Sequence, residues 1–165
     1  VYLVVHGSRL KSRAIAGDLS LPLALPVPSG MVFLNEHARE PLVHQVTNVG
    51  KDAARLVGIE LKQSEVLNAR EPISGRGHEL KDTYEKVRVY RMELAPGENT
   101  GELDIPRSTL IVALSEATVA QTLPGTVTRI ASFEPASWQW YEKPEKITFS
   151  NDGVSMFEAI LFEVL

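Results

Sequence analysis

The residue types and spacing suited to metal chemistry in this chain lie in the stretch PLVHQVTNVG, Pro41 to Gly50, where His44 stands four residues before Asn48. A neutral imidazole is the commonest protein ligand for transition metals. Just upstream, FLNEHAREP brings Glu36 and His37, so that Glu36, His37 and His44 form a candidate ligand set, with His6 further back. The plainer alternative is that these are polar tips of a half-buried sheet, because a metal site requires its ligands to converge in space. Later in the chain PEKITFSNDG, Pro144 to Gly153, repeats the same frame of proline, asparagine and glycine with Ile147 where the histidine would stand.

A second candidate is the aromatic cluster SWQWY. On a strand, Trp138 and Trp140 share one face while Gln139 and Tyr141 share the other. Two indoles on one face suit the wall of an apolar ligand pocket, with their N–H groups orienting the ligand. They suit the filling of a core equally well. LAPGEN, Leu94 to Asn99, lacks the glycines and lysine of a phosphate-binding loop. It reads as a β-turn centred on Pro96 and Gly97.

The elements that must position these residues are strands. VYLVV, GMVFL, VHQVTN, ARLVGIEL, VRVYRMEL, STLIVAL, VTRIASF, SWQWY, ITFSN and FEAILFEVL are short, rich in β-branched and aromatic residues, and divided by Gly, Pro, Asn or Asp. The fold class is therefore all-β. In VRVYRMEL, Val87, Val89, Arg91 and Glu93 share one face and Arg88, Tyr90, Met92 and Leu94 the other, so periodicity leaves the buried face open. A short helix is expected only in KQSEVLNAR, Lys62 to Arg70, opening a Pro-, Gly- and charge-rich connector.

With 165 residues, 44% of them hydrophobic, the chain can bury one good core or two small ones. Two is the expectation, because a constant offset of 103 residues carries Pro41 onto Pro144, Asn48 onto Asn151, Gly50 onto Gly153 and Glu60 onto Glu163. Tyr2 to Val5 matches Thr109 to Val112 at a larger offset of 107, as loops of different length would allow. The span is too long for a solenoid repeat and reads as a duplicated β domain. The expected division is a partial unit over residues 1–62, a linker over 63–86 and a complete unit over 87–165.

The net charge of −4 is spread without a basic stripe, which argues against nucleic acid as a partner. No apolar run approaches the roughly 20 residues of a membrane-spanning helix, so no membrane partner is expected either. The absence of cysteine removes disulfides, thiolate catalysis and Cys-ligated zinc while fitting a reducing or an oxidising compartment. A soluble chain is expected, with the cytoplasm preferred. Val1 opens directly on an apolar run, as a processed, trimmed or incompletely ordered N-terminus would.

The second half, VRVYRMELAPGENTG followed by TLIVALSEATV and SWQWYEKPEKITFSNDGVSMFEAILFEVL, resembles a small cupin, and the first half resembles the later two-thirds of another. The resemblance implies a double-stranded β-helix, the jelly-roll barrel, in two related units, as in a bicupin whose first unit lacks its opening strands. Metal-binding cupins carry a His-x-His pair followed by Glu, and a Pro-x-Gly turn followed by a His with Asn four residues on. On that pattern Leu103 and Ile105 fall at the paired histidines, Ser108 near the carboxylate, and Ile147 at the last histidine. The second unit is thus expected to hold no metal. In the first unit VPSG, Val27 to Gly30, gives the turn and His44 with Asn48 the ending, but the spacing between Gly30 and His44 is too long.

The resemblance implies a metal-free module for small-molecule binding or structure, with His37, His44, Trp138 and Trp140 as the candidate ligand-binding residues. The alternative is a metal-dependent enzyme of isomerase or dioxygenase type, holding Fe, Mn, Ni or Zn in the N-terminal unit through Glu36, His37 and His44. A third reading is a homodimeric interaction protein: an incomplete roll leaves strand edges that are normally paired or covered, so either packing of the two units against each other or a homodimer is expected, the homodimer being preferred.

Overall fold

The computed structural model describes residues 1–14, 21–34, 43–61, 71–126, 128–142 and 145–165. The described residues are all-β without a helix, so none is long and apolar enough to cross a membrane. The helix expected at Lys62 to Arg70 lies outside them. The chain divides into two compact units, Val1–Glu60 and Leu61–Leu165.

In the C-terminal unit eight strands follow one another: β8 (Val87–Leu94), β9 (Leu103–Ile105), β10 (Thr109–Ala113), β11 (Ala117–Thr122), β12 (Arg129–Phe133), β13 (Trp138–Tyr141), β14 (Glu145–Asn151) and β15 (Phe157–Val164). Their antiparallel pairing is nested: β8 with β15, β9 with β14, β11 with β12, and β10 with β13. β10 also pairs β15, and β11 also pairs β14. A hairpin folded over on itself in this way is a jelly roll. It gives one sheet in the order β13-β10-β15-β8-β7 and a second in the order β12-β11-β14-β9. The outermost strand of the first sheet, β7 (His78–Thr83), comes from the stretch expected to be linker.

Side chains from both sheets meet in one apolar cluster. Tyr90, Met92, Leu94 and Leu161 from the first sheet pack with Leu103, Ile147 and their neighbours from the second. The inner face of VRVYRMEL is therefore the one that begins with Arg88. The opposite face is also buried along its centre, at Val87, Val89, Val112, Ile160 and Phe162. Burial of both faces produces near-continuous apolar runs instead of clean alternation. That is why periodicity could not choose between the faces.

The N-terminal unit contains β1 (Tyr2–His6), β2 (Ser8–Ala14), β3 (Leu21–Val27), β4 (Val32–Phe33), β5 (His44–Asn48) and β6 (Arg55–Gly58). Its sheets run β4-β1-β6 and β3-β2-β5. These orders match β13-β10-β15 and β12-β11-β14, strand for strand. Leu10 faces Asn48 as Val119 faces Asn151. Ser8 faces Val27 as Ala117 faces Phe133. Leu3 pairs with Val32 and Val57 as Val112 pairs with Trp138 and Ile160. The offsets are thus 109 residues in the first two strands, 106 in the next two and 103 in the last two.

The expected offset of 107 for the first strand is corrected by two residues. Leu3 to Val5 correspond to Val112 to Leu114, all buried. A slip of two residues keeps every side chain on its own face, so the apolar pattern fitted either alignment.

The asparagine and glycine of the repeated frame have one task in both units. Gly153 N donates to Asn151 Oδ1 at 3.0 Å and Asn151 Nδ2 donates to Ser155 O at 2.8 Å. Gly50 N donates to Asn48 Oδ1 at 3.0 Å and Asn48 Nδ2 to Asp52 O at 2.8 Å. The side chain closes the turn that ends the strand, and a Cβ on the glycine would meet neighbouring backbone, 2.9 Å from Arg9 N at Gly50 and 3.2 Å from Thr118 N at Gly153. Pro41 and Pro144 lie outside the described residues. Asn151 is buried and donates in addition to Leu94 O at 2.8 Å.

Removing a partner from buried polar groups costs more than removing one from exposed groups, so Asn151→Ala should destabilise by about 3 kcal/mol and Asn48→Ala by about 1. Urea denaturation of the two variants is the check, and equal losses would contradict this account.

Candidate functional site in the C-terminal barrel

Four strands of the first sheet bring a polar row into the barrel. Arg88, Glu163, Thr109 and Tyr141 are successive partners in the register of β8, β15, β10 and β13, and all are buried. Arg88 Nη1 lies 3.3 Å from Glu163 Oε2, and Tyr90 Oη donates to the same oxygen at 2.6 Å. Tyr90 Oη in turn accepts from Ile73 N at 3.2 Å. His78 Nε2 donates to Ile73 O at 3.1 Å, with its ring tilted against that of Tyr90 at 5.7 Å between centroids. Gln121 bonds Gln139 at 2.7 Å, and Tyr141 meets Phe149 edge-on.

Burial, followed by the hydrogen bond to Glu163, raises the Tyr90 phenol well above its ordinary range. A neutral phenol that donates its hydrogen bond to a carboxylate is a fixed donor, not a base. Arg88 offsets the carboxylate charge, and the group as a whole suits orientation better than proton transfer.

Ile73 belongs to a strap, residues 71–77, that crosses this end of the barrel. Its neighbours Glu71, Pro72, Ser74, Gly75 and Arg76 are exposed, whereas Ile73 is 5% exposed within the core cluster. Ser74 makes a single antiparallel bridge to Asp104 on the free edge of β9. Arg76 N donates to Thr100 O and Glu93 N to Gly77 O. Gly75, at φ 143°, passes so close to Leu103 that a Cβ would collide with that side chain. The stretch expected as a linker is thus partly wall and partly plug. Burial of its one apolar anchor contributes about 1.5–3 kcal/mol.

Three of the four positions matched to metal ligands carry no donor atom. Leu103, Ile105 and Ile147 are all buried in the same apolar cluster, with Ile147 opposite Leu103 in register. Ser108 turns away and donates to Glu142 O at 2.9 Å. Among the described residues no three His, Cys, Asp or Glu side chains gather as a metal site.

The other candidate residues are placed separately. Trp138 and Trp140 share a face as expected, but it is the outward one, opposite Gln139 and Tyr141. They are 66% and 41% exposed and neither line nor fill the barrel. In the N-terminal unit His44 begins β5 and corresponds by register to Ile147. Its Nδ1 is buried with no hydrogen-bond partner among the described residues. Glu36 and His37 lie outside those residues, and His6 is exposed at the end of β1.

The strand winding makes the C-terminal unit a double-stranded β-helix, the fold of the cupins. No family model matches the chain. A curated relative, a DNA ligase of Xylella fastidiosa (strain 9a5c), is 25% identical over an alignment of 160 residues that covers 89% of this chain; the chain spans only 18% of that protein's length. Similar solved structures include a cupin domain from Bordetella pertussis Tohama I at 13% identity, covering 59% of this chain and 97% of that one with a TM-score of 0.49. A cupin superfamily protein from Desulfitobacterium hafniense DCB-2 is 12% identical, with 65% and 94% covered and a TM-score of 0.43. An RmlC-like cupin family protein from Methanocaldococcus jannaschii, with a double-stranded β-helix fold, is 13% identical, with 65% and 93% covered and a TM-score of 0.46.

Two measurements check the buried network. Arg88→Met leaves Glu163 buried without its cation and should cost about 3–5 kcal/mol in urea unfolding. Because the Tyr90 pKa is raised on folding, its contribution to stability is complete below about pH 10, the unfolded value, and is lost as pH rises from there toward the folded one. Alkaline titration followed by phenolate absorbance should therefore show one phenol that ionises only on unfolding and is missing in Tyr90→Phe. A wild-type titration identical to that of Tyr90→Phe would contradict the assignment.

Proposed function

We propose that the chain is a pair of related cupin-type rolls whose C-terminal member works without metal, as a small-molecule binding or structural module. One observation carries this reading. Leu103, Ile105 and Ile147 fill, with apolar side chains, the places where a metal cupin would hold imidazoles. The matched registers of the two units support descent from one duplicated roll. The overall charge of −4, without a basic stripe, gives no reason to carry the ligase relative's nucleic-acid chemistry to this chain.

The N-terminal unit supports a second reading, a metal-dependent enzyme, on the strength of the unpartnered buried Nδ1 of His44 at the ligand position of the frame. It also favours association. β5 and β6 each pair on one side only among the described residues, and Val43, Val46, Val49 and Leu56 are exposed on and beside them. Unpaired edges with apolar side chains invite a further strand, and we propose a homodimer joined there.

Metal analysis after incubation with iron, manganese, nickel and zinc should find none held by the C-terminal unit. Metal bound by the chain should disappear in His44→Ala. Stoichiometric metal that survives this substitution and is removed by changes around Ile147 would sink the metal-free reading. Light scattering should give a dimer, and a strict monomer would remove the proposed edge contact.

A further inference from the structure

We propose that the seat of Ile73 is a recognition site for an extended peptide carrying a branched aliphatic residue followed two positions later by glycine, which the chain's own strap occupies in cis. The proposal rests on the reading of the C-terminal barrel as a binding module and gives that module a ligand class.

The strap is seated as a bound peptide would be. Its amide N–H at Ile73 meets the Tyr90 phenol oxygen, and its carbonyl at the same residue meets His78 Nε2. The side chain enters the apolar cluster beside these groups while its neighbours stay in solvent. Both backbone groups of one residue are thus read by side chains. In an ordinary edge strand they would be satisfied by the neighbouring strand.

Tyr90 can accept the amide hydrogen because its own proton is committed to Glu163, which Arg88 balances. The seat is therefore organised from behind Tyr90, by Glu163 and Arg88. The bridge from Ser74 to Asp104 adds the strap to the free edge of β9, the mode by which extended peptides join sheets.

Glycine selectivity follows from Gly75. Its φ of 143° strains any other residue two places beyond the aliphatic one, and a Cβ there would also have to push aside the end of the buried Leu103 side chain. Only one side chain anchors the strap, so a competing segment has a single apolar contact and a few hydrogen bonds to displace.

The test uses the full chain and an acetylated, amidated peptide of sequence EPISGR, copied from Glu71 to Arg76. Binding is measured by calorimetry to wild type and to Ile73→Gly, with Ile73→Ala in its place if the glycine variant does not fold by circular dichroism. The emptied seat should bind the peptide at least about tenfold more tightly than wild type, and adding Tyr90→Phe should remove about tenfold of that affinity, as one lost hydrogen bond would. A peptide with aspartate in place of the isoleucine, or valine in place of the glycine, should not bind.

Absence of binding to a folded variant would overturn the proposal, as would equal affinity for wild type and variant. Metal content measured on the same preparations reports separately on the module reading. Metal in the C-terminal barrel would sink that reading whatever the peptide does, whereas metal-free protein that ignores the peptide would sink only the seat.

Discussion

The packing of Tyr90, Met92 and Leu161 against Leu103, Ile105 and Ile147 is the interaction on which the C-terminal unit depends. It joins the two sheets across the interior and sets which face of each strand is buried. It also decides what the barrel can do. An interior filled by apolar groups at this level leaves polar function to the level beyond it, where Arg88 and Glu163 back the Tyr90 phenol that meets the strap. Fold and candidate site are thus adjacent layers of one interior.

Much of the architecture was legible in sequence because it rests on short-range chemistry. β-branched and aromatic runs gave the strands, and glycine, proline and asparagine gave the turns that divide them. The frame ending in Asn48 and Asn151 was readable for the same reason: an asparagine that bonds the backbone two and four residues ahead is a local device. Register was less accessible. A two-residue slip preserves the alternation of faces, and only the pairing partners of Leu3 and Val112 resolve it.

The apolar part of the interior was legible in sequence and its polar part was hidden. Leu103, Ile105 and Ile147 could be noticed because they replace residues of a known pattern. Arg88 and Tyr90 were visible only as members of a mixed face, and Glu163 only as a letter shared with Glu60, whose own side chain is exposed. Nothing local says that a charged residue on one strand will be buried against another 75 positions away. The strap was hidden by its composition, since a stretch rich in glycine and charge reads as solvent-facing even when one of its residues is not. The tryptophans erred in the opposite direction: their size suggested burial, yet edge strand β13 turns them outward.

The nested winding also fixes the order in which the roll can assemble. β11 and β12 are joined by a short turn and can pair as soon as both exist, while β8 must wait for β15, which reaches Val87 from Val164. During synthesis β8 therefore leaves the ribosome long before its central partner, with β7 alone able to cover one of its edges. Closing so long a loop is entropically costly and rewarded late, which places this topology among slow folders with high contact order. The innermost hairpin is the natural nucleus, and the strand that completes the barrel is the last to be made.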